Sequence, residues 1–197
     1  MSARLTAEPA RVVALQELYR AKLAEELRAA RKLQPGADTV ADSGDSEARV
    51  LFVKGEPGPA EVCGAAVLSG PDGRAAAKSL EALGFDPDSM FAMLARAVVP
   101  STGDATGAGA PLPEAALRVR ATAEAIDPYA IVALDPTAAI DLAAAFSVPP
   151  LRFGQPIRAL GRVLLAVDGL EPSLGDPARK RRVWAQLRAL KPDAPRW

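Results

Sequence analysis

Histidine is absent from this 197-residue chain, cysteine occurs once, and aromatic residues make up only 5% of it. Each shortage excludes a chemistry. Without imidazole there is no Ser-His-Asp or Cys-His machinery, no His-ligated zinc, and no side chain that titrates unperturbed near neutrality, so acid–base work falls to Asp, Glu, Lys or Tyr. Cys63 alone cannot close a disulfide within the chain or hold an iron–sulfur cluster, which takes about four thiolates. No metal and no cofactor is therefore expected. Net charge is lacking too, since 24 Lys+Arg balance 24 Asp+Glu. No run approaches the ~18 apolar residues that span a bilayer, and no apolar stretch near the N-terminus leads to a cleavage signal. The expectation is a soluble, cytoplasmic protein with no membrane partner; a single thiol suits a reducing compartment.

What is present is enough apolar material, 49% of residues, for one domain with a sizeable core, expected to cover 1–197. Charge is unevenly placed. Residues 152–197 carry ten basic and four acidic side chains and residues 1–151 fourteen and twenty, so the C-terminal quarter is +6 and the rest −6. A basic end of this kind favours a polyanion.

Periodicity divides the chain into an N-terminal helix within 1–33, an exposed linker over 34–48 and an α/β core over 49–191. From Ala10 to Lys32, Val12, Leu15, Leu18, Tyr19, Leu23 and Leu27 recur at three and four, the period of an amphipathic helix. The stretch Gln34 to Glu47 is rich in Gly, Asp and Ser and reads as an exposed connection. Val50-Leu51-Phe52-Val53 reads as a fully buried strand that runs into the loop Lys54-Gly55-Glu56-Pro57-Gly58. Asp72 to Leu83 is a helix stopped by Gly84, Met90 to Val99 a second apolar run, and 101–113 a loop of Gly, Ala, Pro and Thr. A helix over Glu114 to Ile126, a strand over Tyr129 to Leu134, a helix from Pro136 to Phe146 and a last strand over Arg162 to Val167 follow. Asp176-Pro177 starts a final helix with Val183, Trp184, Leu187 and Leu190 on one face. This alternation implies a mostly parallel sheet covered on both faces, with ligands beyond the carboxyl ends of the strands. Segments 54–64 and 168–175 occupy that place.

The order and content of these segments resemble the uracil-DNA glycosylase superfamily, and most closely its thermostable iron–sulfur branch, over nearly the whole chain. Val50 to Gly58 is similar to the first family motif, a buried strand ending in a Pro-containing loop. Gly64, Gly70 and Gly73 resemble the following Gly-rich segment, and Leu83-Gly84-Phe85-Asp86 the turn before the second strand. Val132-Ala133-Leu134 with Thr137-Ala138-Ala139 resembles the third strand and helix. Glu171-Pro172-Ser173-Leu174, then Lys180-Arg181-Arg182-Val183-Trp184, resembles the last motif, which is normally His-Pro-Ser followed by a basic helix. The resemblance implies a three-layer α/β/α fold with a four-stranded parallel sheet. It also implies a nucleic-acid-binding set of Gly55, Pro57, Gly58, Pro172, Ser173, Lys180, Arg181 and Arg182.

The departures from that pattern bear on activity. Cysteines for the cluster are missing. Leu94 stands where the family reads uracil with Asn, and Leu neither donates to nor accepts from a pyrimidine edge. Val67 stands at the place of the ring that stacks on the extruded base. Glu171 replaces the catalytic His, and its carboxylate repels negative charge growing on a departing uracil. Glu56 matches the water-orienting carboxylate in one register, while a shift by one residue aligns Gly55-Glu56 with the iron–sulfur branch's Gly-Glu. In both registers it is a candidate to orient water behind the sugar.

Three functions follow as expectations. The first is a divergent glycosylase-like protein without conventional uracil excision that contacts DNA through Lys180, Arg181 and Arg182 in a repair context. The second is an active glycosylase of altered base preference with Glu56 and Glu171 as catalytic residues. The third is an interaction module whose first helix and 35–47 segment dock a repair or replication protein. Plainer readings stand beside each residue: Glu56 as a loop carboxylate, Glu171 as the start of a turn, the basic run as a solvated helix face. Cys63 and Trp184 read as packed side chains, Tyr129 as structural, and Asp135 as a helix cap on the ligand side of the sheet.

Overall fold

Five consecutive residues, Val50–Lys54, form strand β2 in the middle of the sheet, and all five are buried. The structure is a computed structural model describing residues 7–34, 40–96 and 110–190, with backbone alone for 7–10. Strand β2 pairs in parallel with β3 (Met90–Leu94) on one side and β4 (Ala130–Ala133) on the other, and β4 pairs in parallel with β6 (Arg162–Ala166). Val50 lies level with both Met90 and Ala130, and Ala130 with Val163, so the four strands end at a common level.

Two short antiparallel strands complete the sheet. β1 (Ser43–Gly44) pairs with β3 and β5 (Ile157–Ala159) with β6, giving the order β1-β3-β2-β4-β6-β5. The α/β class holds, but the sheet has six strands and is mixed, not four and wholly parallel. Strands of two and three residues are too short to show alternation in sequence, and they cap edges that would otherwise expose unpaired backbone groups.

Because the inner strands are covered on both faces, alternate residues feed two separate cores. Val50, Phe52, Leu94, Val132 and Leu165 face one; Leu51, Val53, Met93, Ile131 and Leu164 face the other. Helices α3 (Pro71–Leu83), through Ala76 and Leu80, and α7 (Pro177–Leu187), through Val183 and Leu187, close the first, with Leu190 of a 3-10 turn at Arg188–Leu190. Helices α4 (Pro113–Ile126) and α5 (Pro136–Ala145) close the second through Val119, Ala123, Ala138 and Leu142. Gly84 ends α3 in the left-handed conformation at φ +85°, and Asp135 and Asp176 cap α5 and α7 by accepting backbone N–H bonds.

Helix α1 (Ala7–Lys32) packs against α4 with its C-terminal half, where Leu23 and Ala30 are buried. Val12, Leu15, Leu18 and Tyr19, on the expected apolar stripe, are exposed. At 1.5 Å per residue, α1 is about 39 Å long and α4 about 21 Å, so the first half overhangs its support.

Where it is described, at Gln34 and over 40–48, the 34–48 segment is not the solvated linker its composition suggests. Gln34, Val40 and Ala48 are buried, and Asp42 Oδ1 accepts from Arg118 Nη2 at 2.8 Å while its Oδ2 accepts from Arg31 Nε at 2.9 Å. Arg118 is only 1% exposed, and a guanidinium in that position requires a carboxylate. The expected apolar run beyond Arg96 and most of the 101–113 loop lie outside the described residues. Among those residues no helix is long and apolar enough to cross a membrane.

Candidate functional site

A cavity of about 340 Å³ opens beyond the carboxyl ends of β2, β4 and β6. Its walls come from Lys54 at the end of β2 and from the chain just after each strand: Glu56 to Gly58 after β2, Leu134 to Thr137 after β4, and Leu170 to Pro172 after β6. The short helices α2 (Pro59–Val62) and α6 (Leu170–Ser173) lie in the first and last of these connections. Leu68 and Asp72 complete the lining from the α3 side. Position at the strand ends is what parallel sheets impose on ligand sites.

Lys54 is the centre of the charge pattern. It stands on the same face of β2 as Val50 and Phe52 by strand alternation, so its stem is buried and only 7% of the residue is exposed. Nζ donates to both Glu61 oxygens at 3.0 and 2.9 Å, lies 2.7 Å from Glu171 Oε2 and 3.9 Å from Asp72 Oδ2. Burial pulls the Lys54 pKa down, but the bonds and charges of Glu171 and Glu61 together outweigh it and hold the group above its ordinary 10.5. Burial likewise opposes ionisation of Glu61, and Lys54 with the backbone N–H bonds prevails, holding that carboxyl below its ordinary 4.5. Glu61 also accepts from Gly58 N–H at 2.9 Å, closing the first turn of α2. A methyl group on Gly58 would sit 2.8 Å from Lys54 Nζ and 2.9 Å from Glu171 Oε2, so any larger residue there would have to push the ion pair aside.

Asp135 joins two walls. Its Oδ2 accepts from Gly55 N–H at 2.6 Å and its Oδ1 from Ala138 N–H at 2.9 Å. The expected cap is therefore also a clamp that fixes the β2 loop against α5, and Gly55 is pressed against it. Beside β3, Arg96 is bound to the fully buried Asp141 at 2.8 Å, and that bond chiefly raises its pKa.

Of the residues singled out in the sequence, Glu56, Pro57, Gly58, Glu171 and Pro172 line this one cavity, with Gly55 directly behind it. Glu56 is exposed and forms no hydrogen bond or ion pair with any described residue. Ser173 turns away: it is buried, and its hydroxyl donates to Leu170 O at 2.5 Å. Lys180, Arg181 and Arg182 are exposed on α7 outside the cavity, Arg182 lying 3.1 Å from Asp168. Val67 and Leu94 are buried in the core and do not line the cavity; Leu68, held at φ +53°, occupies the wall next to Val67.

Two readings of single residues change. Cys63 is exposed rather than packed, because it ends the one-turn helix α2 on the outside. Trp184 is half-buried, packed on the first core but reaching a second cavity. Tyr129 packs against the first core, its ring 6.0 Å from Phe85 with Arg49 5.7 Å above it. Sequence reasoning missed Lys54, Glu61 and Asp72 as a cluster. The alternation of β2 carried the signal for Lys54, while nothing local marks Glu61 or Asp72.

The cavity thus holds one cation against four lining carboxylates, Glu56, Asp72, Asp135 and Glu171. Such a site can accept hydrogen bonds, stabilise positive charge and orient a water from Glu56; it is poorly suited to an anion. Compared with known protein families and with curated proteins, the chain matches no family model and no curated relative.

Proposed function

We propose that this chain is a divergent uracil-DNA glycosylase-like protein that does not perform conventional uracil excision and that contacts DNA in a repair context. The order of motifs read from the sequence supports the family. The carrying observation is the lining of the cavity at the strand ends. It includes Glu56 and Glu171, which the sequence resemblance singles out, while Leu94 and Val67, matched to the base reader and the stacking ring, are buried in the core and do not line it. A departing uracil carries negative charge, and a wall of four carboxylates opposes it, with the one cation already bound to Glu61 and Glu171. Contact with DNA is assigned to the exposed cations of α7, Lys180, Arg181 and Arg182.

The test is excision with protein in excess on single- and double-stranded oligonucleotides carrying uracil, hypoxanthine or xanthine, alongside fluorescence anisotropy across a salt series. No release of uracil, with binding that falls as salt rises and weakens in Arg181→Glu/Arg182→Glu, is expected. Uracil release at a rate typical of a glycosylase refutes the first part, and absence of binding at low salt refutes the second.

A second reading is favoured by the sign of the cavity. If Glu56 does orient water, the bases that suit a carboxylate-lined pocket are those that leave without negative charge, such as N-alkylated purines, which are cationic before cleavage. Release of methylated purines from alkylated DNA, lost in Glu56→Ala, supports it; no release from any base excludes it.

A further inference from the structure

A second cavity, about 400 Å³, lies between α3 and α7 and shares only Leu170 with the first. Its floor is aliphatic, from Leu170, Leu174, Val183 and Leu187, with Trp184 at one side. Its rim carries Arg74 and Lys78, one turn apart on α3, and Lys180 on α7. No carboxylate lines it, and none of the three cations forms an ion pair among the described residues. Two neighbouring concavities on one face therefore have opposite sign.

We propose that this groove docks an acidic amphipathic peptide segment of a partner protein, its apolar side chains on the Leu174–Val183–Trp184 floor and its carboxylates on Arg74, Lys78 and Lys180. Complementary charge selects the occupant. An aliphatic floor flanked by cations on both walls suits a helix that lays an apolar face into a groove. Single-stranded nucleic acid instead requires successive aromatic platforms, and only one ring is here. A second copy of this chain fits badly: the exposed apolar stretch of α1 brings no acidic face to the cationic rim, since Arg20 is paired with Glu47, Lys22 with Glu26, and Arg11 balances Glu17 in charge. The proposal shares Lys180 with the DNA reading, so peptide and DNA are alternative occupants of that residue, while Arg74, Lys78 and the apolar floor belong to the groove alone.

Trp184 reports the groove directly. In a Trp197→Phe background the full chain is titrated with an 18-residue Leu/Glu amphipathic peptide, with its Leu/Lys counterpart, and with a 20-nucleotide single strand. The expected result is a saturable change in Trp184 emission with the Leu/Glu peptide only, weakened by salt and at least about tenfold by Lys78→Glu/Lys180→Glu. The exposed Leu174→Asp gives a similar loss, and circular dichroism checks that each variant is folded; Lys78→Gln/Lys180→Gln replaces the reversal if that one is not. Unchanged emission with the Leu/Glu peptide, equal binding of the Leu/Lys peptide, or equal binding by the charge variants overturns the proposal. Displacement of the peptide by the oligonucleotide even in Arg181→Glu/Arg182→Glu, or a wild-type dimer that excludes the peptide, also overturns it by giving the groove to another occupant.

Discussion

Removing the Lys54 ammonium tests whether the cavity's charge pattern is held together as the structure indicates. In Lys54→Met the stem is retained and only the cation is lost. Glu61, 3% exposed, would then keep only backbone donors, the N–H groups of Gly58 and of its own residue, and Asp72, 7% exposed, would lose its only ion-pair partner among the described residues. Glu171 is much more exposed and would return to water at little cost. Breaking a buried pair from one side costs about 3–5 kcal/mol because the other charge is left uncompensated. For a domain of this size 1 kcal/mol corresponds to about 2–4 °C, so Tm should fall by roughly 6–20 °C at pH 7. The double variant Lys54→Met/Glu61→Gln removes the orphaned charge and keeps an acceptor for Gly58, so it should be more stable than Lys54→Met alone, with about 1–3 kcal/mol of coupling. Thermal and urea unfolding followed by circular dichroism measure both. A loss below about 1 kcal/mol in the single variant, or strict additivity in the double, would refute the argument.

The same pair sets a pH dependence. The Glu61 pKa is lowered from 4.5, so its contribution is fully present above about pH 4.5 and disappears as pH falls through the lowered value; Lys54, raised from 10.5, contributes below pH 10.5 and loses it as pH rises through the raised value. Unfolding of wild type and Glu61→Gln between pH 2 and 7 should converge at the acid end, and parallel curves would contradict this. Gly73→Ala places a methyl 1.6 Å from the Leu68 carbonyl oxygen, a backbone atom, and should cost at least about 1–3 kcal/mol, whereas Gly175→Ala meets nothing within 4 Å and should stay within ~0.5 kcal/mol. Equal stabilities would sink the close-approach argument. Arg118→Met removes one of the two guanidinium partners of Asp42, which keeps Arg31, and leaves the Leu94 carbonyl without that donor, so a loss of about 1–3 kcal/mol is expected in urea unfolding. An Arg118→Met variant as stable as wild type would refute it.

Local chemistry alone determined much of this protein. Four apolar residues in a row before a Gly/Pro loop read as a strand buried on both sides, Gly84 as a helix stop, and Asp135 and Asp176 before proline as helix starts, because each depends on neighbours a few residues away. Glu56 and Glu171 were placed on the ligand side of the sheet for the same reason: each follows a legible strand. Tertiary structure decided the rest. That Lys54 would meet Glu61, Asp72 and Glu171, that Asp135 would clamp Gly55, and that Asp42 would leave a polar linker to reach Arg118 are contacts across up to about 120 residues, and no local pattern encodes them. The two edge strands were hidden because pairing partners, not composition, make two or three residues a strand. The overhang of α1 was hidden because periodicity states which face is apolar, while the length of the helix beneath it decides how much of that face is covered.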